Sequence, residues 1–249
     1  MAVSTIQETF TLPSKRQIYE KPINPEITLR SMNTMDELKR LSHSDLPYKN
    51  MCDMIDDCIV GKKEISTYDM CLGDYQFLLH KLRIVTYGTD YKIVVTCPNC
   101  RQVQEKDFNL EELQILEWDE SVRELFNLHL PKSDKDIVLK FQTPRMLDNI
   151  VKKKKELLAK NKEMLDPTFV LTVMNCIDLV DGDKLNFVEL ERFVQNLPMA
   201  DTNLILQRAD TINQKVGIDT IVGNHCDQCG YDYLSTFRIT TEFFRPTVD

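Results

Sequence analysis

Apolar residues recur along the chain at two spacings, and the changes of spacing divide it. After Thr34, which reads with Glu37 as a capping box, Leu38 and Leu41 predict a short helix that ends in the Ser44 to Pro47 stretch. Met51, Met54, Ile55, Cys58 and Ile59 repeat at helical spacing up to Gly61, a residue suited to a left-handed stop. Asp74 opens a third helix, with Tyr75, Leu78, Leu79, Leu82 and Val85 on one face and Gly88 at its end. The period then shortens. Tyr91 to Val95 predicts a strand, Val103 to Phe108 its return, and Asp136 to Phe141 another strand stopped by Pro144. Leu110 to Leu130 has no settled period, although Ser121 to Leu130 allows a short helix.

From Pro144 to Val216 the spacing is helical almost throughout. Leu147, Ile150, Val151 and Leu158 share a face, and the run Lys152 to Lys155 solvates the other side. Asp166-Pro167 starts a helix that turns Phe169, Val173, Ile177 and Val180 inward. Asn186 and Glu189 form a capping box for the next, which carries Phe187, Leu190, Val194 and Leu197. Asp201 caps a fourth, with Ile205, Ala209, Ile212 and Val216 before Gly217. Asp181-Gly182-Asp183 fails as a calcium loop, because setting Gly182 at the sharp turn leaves Ile177, Leu179 and Val188 at ligand positions. It reads as a turn. Near the end, Tyr231, Tyr233, Phe237 and Ile239 predict an aromatic-rich strand, and the tail runs just beyond Pro246.

Residues 1–30 are broken by Pro13, Pro22 and Pro25 and read as an extended arm that needs a partner surface, or the protein's own flank, to become ordered. The predicted class is therefore α+β. Its parts are the arm at 1–30, helices with a split zinc-ribbon-like β element at 31–143 and 217–249, and a helical insert at 144–216.

The candidate chemistry lies where the insert begins and ends its interruption. Cys97-Pro98-Asn99-Cys100 and Cys226-Asp227-Gln228-Cys229 are two Cys-x-x-Cys knuckles, each leading into a strand-like run. Two sulfurs at this spacing reach one ion at about 2.3 Å, so two knuckles complete a tetrahedral zinc site with no open position. The metal ligands expected are Cys97, Cys100, Cys226 and Cys229, holding one structural Zn²⁺. His225 is adjacent and offers an alternative ligand. A thioredoxin-like redox pair fits less well, since no helix-forming sequence follows Cys100 and the motif occurs twice. The 125 residues between Cys100 and Cys226 far exceed the spacing of a simple ribbon. Closing so long a flexible loop costs about 4 kcal/mol, against apparent zinc binding of about 10 to 16 kcal/mol.

Composition narrows the function. With 249 residues, 42% of them hydrophobic, the chain can bury one large core or two modest ones. Its 39 acidic and 31 basic residues give a charge of -8, with no basic stripe through the knuckles, so nucleic acid is not an expected partner. No apolar run is long enough to span a membrane, and no signal-peptide core opens the chain. Eight cysteines in such a protein point to metal and reduced thiols. The seven glycines form no phosphate-binding loop. No acid, base and nucleophile set converges, and the closed metal site argues against an enzyme.

Several short motifs occur in a fixed order: Leu12-Pro13-Ser14-Lys15, Ile27 to Met32, and Leu72-Gly73-Asp74-Tyr75-Gln76-Phe77-Leu78-Leu79 continued by Leu82-Arg83-Ile84 and Thr86-Tyr87-Gly88. Leu197-Pro198-Met199-Ala200-Asp201, Gly217-Ile218-Asp219 and the split knuckles complete the series. In this order the features resemble the baseplate hub assembly proteins of T-even-type contractile-tailed bacteriophages. The resemblance implies a non-enzymatic protein that binds and chaperones hub or tape-measure proteins in the host cytoplasm during assembly. The implied alternative is a permanent hub subunit in the virion baseplate, and an oligomer is compatible with both. Zinc ribbons also occur in nucleic-acid-binding proteins, a second alternative disfavoured by Asp227 and Asp232 beside the second knuckle. The surfaces expected to grip a partner are the arm around Leu12 to Ile27 and the helices between Leu147 and Val216.

Overall fold

A computed structural model describes residues 5–21, 23–161, 163, 165–237 and 241–244. The expected strand residue Ile239 and the tail from Pro246 lie outside these, as do Met1 to Ser4 and Pro22 of the arm. The described residues form an α+β fold with eight α-helices and small antiparallel sheets. In chain order the first part is β1 (Gln7–Thr11), β2 (Glu26–Arg30), α1 (Thr34–Leu41), α2 (Pro47–Cys58), β3 (Ile59–Val60), α3 (Leu72–Tyr87), β4 (Asp90–Thr96) and β5 (Val103–Asn109). Next come β6 (Ile115–Leu116), α4 (Val122–Leu125), β7 (Asn127–Leu130), β8 (Lys135–Leu139), α5 (Pro144–Lys160), α6 (Thr168–Cys176) and β9 (Ile177–Val180). The last are α7 (Phe187–Gln195), α8 (Met199–Asn213), β10 (Gly217–Ile218), β11 (Ile221–His225) and β12 (Asp232–Thr236).

Two large hydrophobic cores divide the work among the described residues, beside smaller clusters around Trp118 and around the cysteines. The first surrounds α3, which is buried over most of its surface through Phe77, Leu78, Leu79, Leu82 and Ile84; His80 and Arg83 are fully enclosed, while Gln76 is exposed and Lys81 half-buried. Arg83 is tolerated there because its guanidinium donates to the carbonyls of Phe243, Gly88 and Asp90. The second core joins β7, β8 and β9 to the helices α6, α7 and α8.

Several expectations change. The arm is extended but not free: β1 pairs with β2 from Gln7↔Arg30 to Thr11↔Glu26, and Leu12, Ile23 and Leu29 are buried in the first core. Pro13 and Pro25 flank the strands without excluding the segment from the sheet. The 144–216 stretch is not all helical, because α6 stops at Cys176 and Ile177–Val180 pairs with β8. The β-branched Ile177 and Val180 fit a half-buried strand as well as a helix, so their spacing did not separate the two. The helix α1 is capped one residue earlier than expected, by Asn33 with Asp36. Its Met35, Leu38 and Leu41 face solvent, while Asp36 turns inward to Arg30. Asp201 is not the helix cap, since α8 begins after Pro198.

Buried carboxylates tie the elements together. Asp74 accepts from the Ser14 amide at 3.0 Å, the Ser14 hydroxyl at 2.5 Å and the Tyr19 hydroxyl at 2.6 Å, which docks the arm on α3. Asp148 on α5 accepts from the amides of Tyr48 and Lys49 at the start of α2. Asp201 on α8 does the same for Lys132 and Ser133 in the β7–β8 turn. Asp56 accepts from the amide and the hydroxyl of Thr67. Each satisfies backbone donors that burial would otherwise leave unpaired. Where the chain returns to the first core, Gly73 and Gly217 touch: a Cβ on Gly73 would lie 2.0 Å from the Val216 carbonyl oxygen. Gly217 also has φ +123°, a conformation glycine adopts without strain.

Candidate metal centre

Two hairpins build the centre. The β4–β5 ladder runs from Asp90↔Asn109 to Thr96↔Val103 and carries Cys97 and Cys100 at its tip. The β11–β12 ladder runs from Ile221↔Thr236 to His225↔Asp232 and carries Cys226 and Cys229. The two tips share one local geometry. Arg101 donates its amide to the Cys97 carbonyl at 2.9 Å, and Gly230 donates to Cys226 at 2.8 Å. The Cys97 amide reaches the Gln102 carbonyl and the Cys226 amide the Tyr231 carbonyl, both at 2.9 Å. The residue after each second cysteine is left-handed, Arg101 at φ +62° and Gly230 at φ +70°. Glycine takes that conformation without cost, and Arg101 is held in it by the turn.

The structure brings all four predicted cysteines together, with every sulfur within 4.8 Å of the others. Cys97 Sγ lies 3.8 Å from Cys229 Sγ, and Cys100 Sγ lies 3.6 Å from Cys226 Sγ. These are not disulfides, whose sulfurs sit at about 2.0 Å. Sulfurs placed tetrahedrally at about 2.3 Å from a central ion stand about 3.8 Å apart, so the separations suit such an ion. Cys97 and Cys226 are fully buried against Val95 and Tyr233, while Cys100 and Cys229 are exposed. The Asn99 side-chain amide, 3.6 Å from Cys229 Sγ, and the Tyr231 backbone amide favour the thiolate and bring the Cys229 thiol down to about 6. The Gln102 backbone amide also favours the Cys100 thiolate, but local desolvation and the three neighbouring sulfurs outweigh it and push this thiol up to about 12. Four thiols this close resist becoming four thiolates on their own. A divalent cation reverses that balance.

His225 does not join the sulfurs. Its Nδ1 lies 2.7 Å from Asp232 Oδ1 across the β11–β12 ladder, and the ring is exposed. Three residues that the spacing of cysteines did not reveal fasten one hairpin to the other. Gln104 Nε2 donates to Asp227 at 3.3 Å, and Lys106 Nζ donates to the His225 carbonyl and pairs with Asp227 at 3.3 Å. The alternation of β5 places Gln104 and Lys106 on one face, which was the available signal.

An α+β protein whose two hairpins meet at four cysteines is thus the class defined by fold and site. The chain belongs to the family of T4 bacteriophage base plate proteins, which it matches over residues 4–245. No curated protein and no solved structure matches it. Among the described residues, no helix is long and apolar enough to cross a membrane.

Proposed function

We propose that Cys97, Cys100, Cys226 and Cys229 hold one structural zinc ion, and that the protein is a non-enzymatic assembly factor that binds and chaperones hub or tape-measure proteins during baseplate construction in the host cytoplasm. Four soft sulfur donors at tetrahedral separations support zinc, and with all four positions taken by protein the ion would act as a cross-link. When bound, the ion would fix the two hairpins to each other. Asn99, the Tyr231 amide and the Gln102 amide orient the thiolates and spread their charge.

The observation that carries the assembly reading is the outward apolar stripe of α1. Met35, Leu38 and Leu41 are 70%, 56% and 63% exposed and stand one helical turn apart on one face. They fit an apolar helical segment of a hub or tape-measure protein. Three side chains offer far less than the roughly 800 Å² per partner of a stable complex, which suits a contact that is later released. The arm's Leu12 and Ile23 are committed to the first core, so the gripping role falls to α1 and the exposed Phe187 and Val188 of α7.

Co-expression with the hub and tape-measure proteins of the same phage tests this. The native chain is expected to keep them in solution, and a Met35→Glu, Leu38→Glu variant that still folds is expected not to. Equal solubility of the partners with and without the chain refutes chaperoning. Recovery of the chain from purified particles supports the permanent-subunit reading instead. Elemental analysis of protein purified without added metal is expected to give one zinc per chain.

A further inference from the structure

The strand β1 has one open edge. Its ladder with β2 is continued by the Ser31 amide donating to the Ile6 carbonyl at 2.8 Å and by the Leu12 amide donating to the Pro25 carbonyl at 2.8 Å. Because antiparallel ladders alternate, these bonds make Glu8 and Phe10 the residues that bond to β2. Gln7, Thr9 and Thr11 therefore aim their amides and carbonyls the other way. Among the described residues no strand meets them, and all three are exposed. Proteins commonly guard such an edge with lysine, proline, a bulge or a covering element. Gln7–Thr11 contains no lysine, proline or bulge, and no strand among the described residues covers it.

Unpaired backbone groups at strand spacing accept an extended backbone. Two further observations select a second copy of the same strand. The segment is self-complementary: pairing antiparallel about Thr9 sets Gln7 opposite Thr11 and Glu8 opposite Phe10, and sets Thr9 opposite itself. The outward-aimed residues then form the hydrogen-bonded pairs, which gives about six new bonds, and no two like charges face each other. The second observation is a cation lacking a counter-ion. Lys81 on α3 stands 5.3 Å from the centre of the Phe10 ring and 5.8 Å from that of Phe77. It has no carboxylate partner among the described residues, and neither does Glu8.

We propose that β1 is a self-association edge: two copies pair antiparallel through β1 about a two-fold axis at Thr9, each placing its Glu8 beside the partner's Phe10 and the partner's Lys81. The two three-stranded sheets β1-β2-β3 become one continuous sheet. The contact is isologous, so it closes as a dimer and does not propagate. A single strand pair buries less than a standard interface, which places its dissociation in the micromolar range.

Sedimentation equilibrium of the full chain across the micromolar range is the test. The native protein is expected to approach a dimer as concentration rises. Thr9→Pro removes an outward amide and leaves the backbone bonds of the β2 ladder in place, losing only the Thr9–Thr28 hydroxyl contact on that side, and is expected to weaken the dimer at least about tenfold while the circular dichroism spectrum stays unchanged. Glu8→Lys is expected to weaken it comparably, and adding Lys81→Glu to that variant is expected to restore it. A monomer throughout the range overturns the proposal. So does a dimer that a folded Thr9→Pro chain retains, or a failure of the paired charge reversal to restore association. The charge-reversal pair decides by itself if Thr9→Pro does not fold.

Discussion

Replacing Asp148 by alanine unties three connections at once. Its carboxylate, almost completely buried, accepts from the Tyr48 amide at 3.2 Å, the Lys49 amide at 2.9 Å and the Tyr68 hydroxyl at 3.0 Å. The helix α2 has no cap of its own, because Leu46 stands at the N-cap and offers no side-chain acceptor. Asp148 therefore does for α2, from another helix, what a serine or aspartate usually does locally. Losing a cap costs about 0.5 to 2 kcal/mol, and a buried donor left unpaired costs about 1 to 3 kcal/mol. These overlap, so we expect a total of about 3 kcal/mol for Asp148→Ala. For a chain of this length that lowers the melting temperature by roughly 6 to 12 °C. Asp148→Asn keeps one oxygen acceptor and is expected to cost about 1 kcal/mol. Urea titration followed by circular dichroism reads the difference as a shift in midpoint at constant slope. A melt of Asp148→Ala within about 2 °C of the native chain would refute the idea that this carboxylate holds α2 to α5.

Other substitutions probe different parts of the fold. Gly73→Ala drives a Cβ into the Val216 carbonyl and is expected to cost at least about 3 kcal/mol, seen as loss of soluble protein or a large drop in the melt. His80 is fully enclosed and held down to about 4 by burial and by Lys81, with only its Nε2 placed at the Leu110 carbonyl. A base with a depressed folded pKa binds fewer protons folded than unfolded, so its contribution is present above about pH 6.5 and is lost as pH falls towards 4. That loss amounts to about 3 kcal/mol, and stability measured from pH 7 to 4 is expected to show a shallower acid slope in His80→Gln. Asp74 has the opposite sign: burial raises its carboxyl, so the native chain gains relative to Asp74→Asn as pH drops from neutral through that raised value. On the proposal that the four cysteines hold zinc, a chelator, or a Cys97→Ser, Cys226→Ser variant, is expected to unfold the paired hairpins while the second core keeps its helical signal.

The cysteine constellation was legible because such chemistry restricts both residue type and spacing, and the first hairpin followed from the alternation on either side of its knuckle, whereas of the second only the strand after the knuckle was foreseen. The helices α2, α5 and α7 were legible from their periodicity, and α7 from Asn186 and Glu189 as well. What escaped notice depends on long-range partners. Nothing near Asp148 indicates that it caps a helix a hundred positions earlier, and nothing near Asp74 indicates the docked arm. The stretch Ile177 to Val180 is a strand only because β8 is there to pair with it. In α1 a helical spacing of Leu38 and Leu41 implied burial, yet the buried side is the one with Asp36 and Arg40. Amphipathic spacing shows that a face exists and leaves open what covers it.

The split of the four cysteines also sets an order in time. During synthesis the first pair emerges, and the second follows 125 residues later, an interval of about 6 to 25 s at ordinary translation rates. Every buried residue of the second core, Leu128 to Ile212, lies within that interval. Small domains commonly fold in well under a second, so the interrupting unit is complete while the unit it interrupts still waits for Cys226, Phe237, Phe243 and Phe244. Until then Cys97 and Cys100 form half a site, and α3 lacks part of its wall. A nascent chain from which Ile212 has emerged and Cys226 has not thus presents a finished inner body on an open outer one, with a pair of accessible thiols marking it as incomplete.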